Sequence, residues 1–190
     1  LFYCKQNKTV KLTKNIYFNS VPLDIVPTFK TLGVVFNEKM TWDDHIYFIA
    51  NKLSQIIGLL YRHRHILPSK AMLAVYHSLF HSRLSYCNLV WGKTSQENLR
   101  KLHILQKSFL RILENVPRTY HTLELFSKHK ILPITKQYNF HLCRALKREI
   151  TNNTSFFHKL ANTELSYKVY ETRKINKWHI KTYRTTYGCQ

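Results

Sequence analysis

Acidic side chains are scarce in this sequence. Ten Asp and Glu stand against thirty Lys and Arg, giving a formal charge of +20. Aspartate is confined to Asp24, Asp43 and Asp44, and none follows residue 44. Phosphoryl transfer on two metal ions needs several carboxylates to clamp the attacking and leaving oxygens. An independent polymerase or metal-dependent nuclease is therefore a poor fit. Four glycines and five prolines punctuate 190 residues, which predicts long helices joined by short connections. The cysteines, Cys4, Cys87, Cys143 and Cys189, lie far apart with no CxxC pair, as expected of a reduced intracellular protein with buried thiols. No stretch of 18 apolar residues and no signal peptide is present. We therefore expect a nuclear or cytoplasmic location, no secretion and no membrane partner. The chain starts at Leu1 rather than Met, which reads as a piece of something longer.

What is abundant is positive charge and apolar surface. Hydrophobic residues make up 44% of the chain, enough for a true core and against disorder of the whole. The excess of cations attracts polyanions and speeds encounter with them. Each duplex phosphate neutralised contributes about −0.9 to the slope of log affinity against log salt. Net charge alone does not separate nucleic acid from an anionic membrane. The 14% aromatic content supplies faces for base stacking and favours nucleic acid, although aromatic residues also fill cores.

The first 40 residues differ in pattern from the rest. Ile16–Phe18 and Leu23–Val26 flank Asn19-Ser20-Val21-Pro22, which predicts a hairpin. Phe29 to Phe36 is an apolar, β-branched run and predicts one strand, with Gly33 marking a bulge or a close backbone approach. Helices follow. Ile46, Ile49, Ala50, Leu53, Ile56, Ile57 and Leu60 recur at helical spacing, with Asp43 and Asp44 at the positive end of the helix dipole. Pro68-Ser69 opens a helix carrying Leu73, Tyr76, Leu79 and Phe80. Thr94-Ser95-Gln96-Glu97 has the capping-box pattern and introduces a helix with Leu99, Leu102, Leu105, Phe109, Ile112 and Leu113 near one face. Further helices are expected over 121–129 and 135–150, the latter with Tyr138, Leu142, Ala145 and Leu146 inward. The fold class is α+β: a short β-hairpin and strand element (1–40), a mainly α-helical bundle (41–150) and a basic C-terminal extension (151–190).

Several strings, taken in order, resemble the region after the catalytic core of non-LTR, jockey-like retrotransposon reverse transcriptases. Phe29-Lys30-Thr31-Leu32-Gly33-Val34 resembles the FLG strand of that family. Met40-Thr41-Trp42-Asp43-Asp44-His45-Ile46 resembles the LTW…HI segment after it. Lys52-Leu53-Ser54, Gly58 to Arg62, Ile66-Leu67-Pro68, Tyr76 to Leu79, Leu84 to Cys87 and Trp91-Gly92 follow in the family's order. Gln106-Lys107 and Arg111-Ile112 fit the next helix, and Tyr170 to Arg173 and Arg184 to Gly188 resemble motifs near the end of such reading frames. The run covers about five-sixths of the chain, though each string alone is weak.

The resemblance implies a primer-grip hairpin followed by the thumb that lies along template–primer. Leu32, Gly33 and Val34 match the primer-grip strand. RNA, DNA and RNA–DNA hybrid are the implied partners, together with the fingers and palm of a parent polymerase. A glycine lets backbone approach a sugar–phosphate chain, and a basic helical surface follows a duplex through its phosphates without reading sequence. The departure from the family is in the acids. The Y/F-x-D-D turn and its partner Asp are absent, so no catalytic residue is expected here, and Mg2+ belongs only to an intact parent.

Lys52, Arg62, Arg64, Lys107, Arg111, Arg173 and Lys174 are the candidate phosphate contacts, with Lys70, Arg83 and Lys101 as further cations that could face a duplex. Asp43-Asp44 begins an amphipathic helix, which favours a structural role over catalysis. His77 and His81 have a metal-chelating spacing without a third ligand nearby, so no metal site is expected. Trp42 and Trp91 lie in apolar settings that favour packing over stacking on bases. The segment from Arg173 to Arg184, with Trp178 and Tyr183 interleaved, is either a template contact or a plain basic surface. The rival class is a stand-alone basic nucleic-acid-binding or scaffold protein derived from a retrotransposon. An in-frame Y/F-x-D-D segment upstream of Leu1 would separate the two.

Overall fold

Two short hairpins open the chain in the computed structural model, which describes residues 17–22, 24, 26–152, 164–165 and 178–179. Strands β1 (Tyr17–Phe18) and β2 (Val21–Pro22) pair antiparallel about Asn19-Ser20, whose φ values are 47° and 65°. Two positive φ angles in a two-residue loop match the right-handed strand twist. The hairpin expected here is present, but its second arm is Val21–Pro22. Asp24 and Val26 are not in a strand, and Leu23 and Ile25 lie outside the described residues.

The single strand expected over Phe29–Phe36 is instead a second hairpin. Strand β3 (Thr28–Thr31) pairs with β4 (Val34–Asn37), Thr31 opposite Val34, and the chain reverses at Leu32 (φ 46°) and Gly33 (φ 80°). Glycine takes that conformation freely, while Leu32 pays a steric penalty of about 1–2 kcal/mol. The turn is held from outside: Tyr86 Oη donates to the Leu32 carbonyl at 2.6 Å.

Helix α1 (Asp43–His63) buries Ile46, Ile49, Leu53, Ile56 and Leu60, an alternation of three and four residues that keeps one seam toward α5 (Gln96–Leu113). The α5 seam is Leu99, Leu102, Gln106, Phe109, Leu110 and Leu113. Its cap is Ser95, whose Oγ accepts from Asn98 N at 3.3 Å, so the helix begins one residue later than the Thr94–Glu97 pattern suggests. Asn98 then ties the two helix starts together, donating to Asp43 Oδ1 at 2.7 Å and Thr94 Oγ1 at 3.0 Å.

Between these helices runs α2 (Ser69–Val75), a π-helical stretch over Tyr76–His81, and α3 (Ser82–Ser85). Met72, Tyr76, Phe80 and Leu84 are all buried. A strict four-residue spacing drifts by about 40° per step at 3.6 residues per turn. The wider π turn absorbs that drift and keeps all four on one face. It also turns Leu79 outward, 44% exposed, against the expected inward placement. Tyr76, Phe80 and Phe109 pack ring on ring with centroids 5.0–5.4 Å apart. Helix α4 (Asn88–Trp91) puts Trp91 fully inside, its Nε1 donating to Tyr86 O at 2.8 Å.

Gln106 is the polar centre of this core, fully buried. Its Nε2 donates to Tyr76 Oη (2.8 Å) and Leu132 O (3.0 Å), and its Oε1 accepts from Ile134 N (2.9 Å). One side chain thus joins α5, the π stretch and the first residue of α7 (Ile134–Thr151). Helix α6 (Leu123–Lys128) is fastened to the end of α5 by Glu114, which pairs with Lys128 and His129.

The described chain is α+β, two strand pairs followed by mainly helical structure. It divides into two compact units, Leu1–Tyr138 and Asn139–Gln190. The second contains the remainder of α7 and an antiparallel pair, β5 (Glu164–Leu165) with β6 (Trp178–His179). Among the described residues no helix is long and apolar enough to cross a membrane.

Candidate nucleic-acid interface

The β3–β4 turn overhangs a recess of about 380 Å3 lined by Gly33, His45, Lys52, Arg83 and Tyr86 among others. Leu32 projects beside it, 85% exposed, and Lys52 is exposed on α1. Arg83 Nη1 spends one hydrogen bond on Leu79 O at 3.1 Å, which leaves further donors on the same guanidinium. Val34, expected to share the grip, is only 4% exposed. With its side chain buried, Val34 offers almost no surface to a nucleic-acid strand.

His45, deep in this region, is 2% exposed. Its Nδ1 accepts from Val35 N at 3.3 Å, so the proton of the neutral ring sits on Nε2. Burial pulls its pKa down to about 4, and the imidazole is uncharged at neutral pH. It therefore fixes hairpin to helix without adding positive charge.

A larger groove of about 850 Å3 runs between the C-terminal halves of α1 and α5. Arg64, Arg111 and Arg118 line it together with Tyr61 and Asn115, and no carboxylate does. Arg64 lies over the Tyr61 ring, 4.0 Å from its centroid, and donates to Tyr61 O at 2.8 Å. Arg111 reaches Tyr120 O through Nε (3.2 Å) and Nη2 (3.1 Å), so part of its fork holds the loop that carries Arg118. Gly58 lines the groove, and a Cβ there would meet nothing within 4 Å.

The remaining candidates are dispersed. Arg62 is exposed on the last turn of α1, and Lys107 lines a different cleft against α6 and α7. Lys101 is engaged with Glu97 at 3.3 Å. Arg173 and Lys174, with most of the basic segment to Arg184, lie outside the described residues. Arg118, Lys130 and Lys136, which the sequence reading did not single out, line the concave surfaces. They fall in loops or at a helix start, where no periodicity announces a face.

The acids are occupied in holding the fold. Asp43 Oδ1 accepts from Asn98, and the bonds with Thr41 and Asn98 hold its carboxyl below the usual range. Asp44 Oδ2 accepts from Asn37 Nδ2 at 3.1 Å. This donor set does not fit a two-metal centre, and the described residues contain no group of three or more His, Cys, Asp or Glu placed to hold a metal ion. His81 Nε2 lies 3.1 Å from Ser85 Oγ and its Nδ1 3.2 Å from Gln137 Nε2, so both ring nitrogens are engaged within the fold.

No family model, curated protein or solved structure matches the chain.

Proposed function

We propose that the chain is the primer-grip and thumb-like region of a non-LTR retrotransposon reverse transcriptase, holding RNA–DNA template–primer without reading sequence. The observation that carries this reading is the convergence of the motif-matched turn, Leu32-Gly33, with Lys52 and Arg83 on one recess. Bare backbone and cations gathered at a hairpin tip suit a sugar–phosphate chain. The arginine-lined groove between α1 and α5 adds a second row of phosphate donors on the same unit. The carboxylates needed for polymerisation are not among its residues, so the chain grips and does not extend.

The test is binding of a blunt RNA–DNA hybrid as a function of salt. Affinity should fall steeply with salt and be indifferent to sequence. Arg64→Gln with Arg118→Gln should flatten the log–log slope by about 0.9 for each phosphate contact removed. Absent binding at low salt, or affinity unmoved by salt, would overturn the reading.

A further inference from the structure

Helices α5 and α6 and the start of α7 enclose another concave surface, a cleft of about 550 Å3. Three elements contribute its lysines: Lys107 on α5, Lys130 in the loop after α6, and Lys136 on α7. The ion pairs among the described residues take Lys101, Lys128 and His129, leaving these three without one. No Asp or Glu lines the cleft. One wall carries the half-buried His103, which stacks on the buried Phe126, ring centroids 5.6 Å apart and planes at 21°. Burial and then the neighbouring Lys107 hold His103 below the usual imidazole range.

The backbone at Lys130 sharpens the case. Helix α6 ends with Ile131 N donating to Phe126 O (2.9 Å) and Lys130 N to Ser127 O (3.1 Å), a Schellman closure. That closure puts Lys130 at φ 53°, a position where glycine is usual because a left-handed backbone crowds a Cβ. Helix α5 closes in the same way with Asn115 at φ 51°, a residue type that tolerates the conformation. The Lys130 side chain is exposed and makes no hydrogen bond or ion pair within the described residues. The closure thus sets Lys130 on the lining of the cleft, its side chain free of partners among the described residues.

We propose that this cleft binds a single-stranded nucleotide segment, its phosphates on Lys107, Lys130 and Lys136 and a base against the His103–Phe126 wall. This rests on the nucleic-acid reading above and adds to it a strand-selective site apart from the duplex groove. Cationic rims with aromatic walls suit single strands because every base has a face to stack and every residue a phosphate.

The test uses the whole chain with a labelled short oligouridylate and a blunt RNA–DNA hybrid. Lys130→Gly should hold or raise Tm, since glycine relieves the strain, yet weaken oligouridylate binding several-fold. Its salt slope should drop by about 0.7 for the lost single-strand contact. Lys136→Gln should weaken it too, and both variants should bind hybrid as the parent does. Unchanged oligouridylate affinity in both variants, with hybrid binding intact, refutes the cleft alone. Parallel loss of hybrid binding also refutes it as a strand-selective site. Displacement of the oligomer by uridine monophosphate at equal nucleotide concentration would assign the cleft to free nucleotides and overturn the proposal. A parent chain that binds no nucleic acid at all refutes the reading beneath it.

Discussion

Replacing Gln106 with leucine removes three hydrogen bonds while keeping most of the side-chain volume. The change strands the Ile134 N–H, the Leu132 carbonyl and the Tyr76 hydroxyl, all partners of one fully buried amide. A buried polar group left unsatisfied costs about 1–3 kcal/mol, so three of them place the loss at about 3–9 kcal/mol. Domains are stable by only about 5–15 kcal/mol, so the variant should sit close to unfolding at 37 °C. Tyr76→Phe alone should cost about 1 kcal/mol, because Gln106 keeps its other two bonds.

The two changes together separate polar satisfaction from packing. With phenylalanine at 76 there is no hydroxyl to strand, so the double variant should cost less than the sum by about 1 kcal/mol. Urea unfolding at pH 7, followed by circular dichroism, gives all four corners of the cycle. Burial pushes the Tyr76 phenol up to about 12, so its protonation does not enter at that pH. A leucine variant within about 1 kcal/mol of the parent, or a strictly additive cycle, would refute the argument that Gln106 organises the core. The same amide anchors the first residue of α7, two residues before Lys136, so partial loosening should extend to the cleft.

Four further outcomes follow from the geometry. Gly92→Ala should destabilise by about 1–3 kcal/mol through overpacking, since a Cβ there would lie 2.4 Å from Asn88 O; Gly58→Ala, with open space, should stabilise by about 0.5–1 kcal/mol, and equal effects in thermal melts would count against this. For His45, a folded pKa near 4 against 6.5 means stability is full above 6.5 and falls as pH drops toward 4, by about 3 kcal/mol; His45→Gln should flatten Tm over that window. Lys128, with His129, depresses Glu114 below 4.5, so its contribution is present above 4.5 and lost below as the carboxyl protonates; Glu114→Gln should remove only that lower limb. Asp43→Asn should lower Tm through the weakened tie to Asn98, and metal-dependent nuclease activity that this change abolished would restore the catalytic reading of Asp43-Asp44.

The parts of the fold that were legible are those where one element's spacing carries the information. The α1 seam at 46, 49, 53, 56 and 60 shows both helix and buried face because a three–four alternation has one geometric solution. The β3–β4 hairpin was not legible, because Leu32 is no turn former and Phe29 to Phe36 reads as one apolar strand until Tyr86, 54 residues later, pins the reversal. The π stretch did leave a trace, the run 72, 76, 80, 84 without a three-residue step, which a plain α-helix cannot keep on one face. Site residues were harder for a different reason. Net charge is a sum and carries no positions: Lys107 and Arg111 stand one turn apart on α5, yet they line different concave surfaces. Lys130 looks like any solvated lysine in Ser127-Lys128-His129-Lys130. Only the closing bonds of α6 show that it holds a place where glycine is usual, on the lining of a cleft it shares with Lys107 and Lys136.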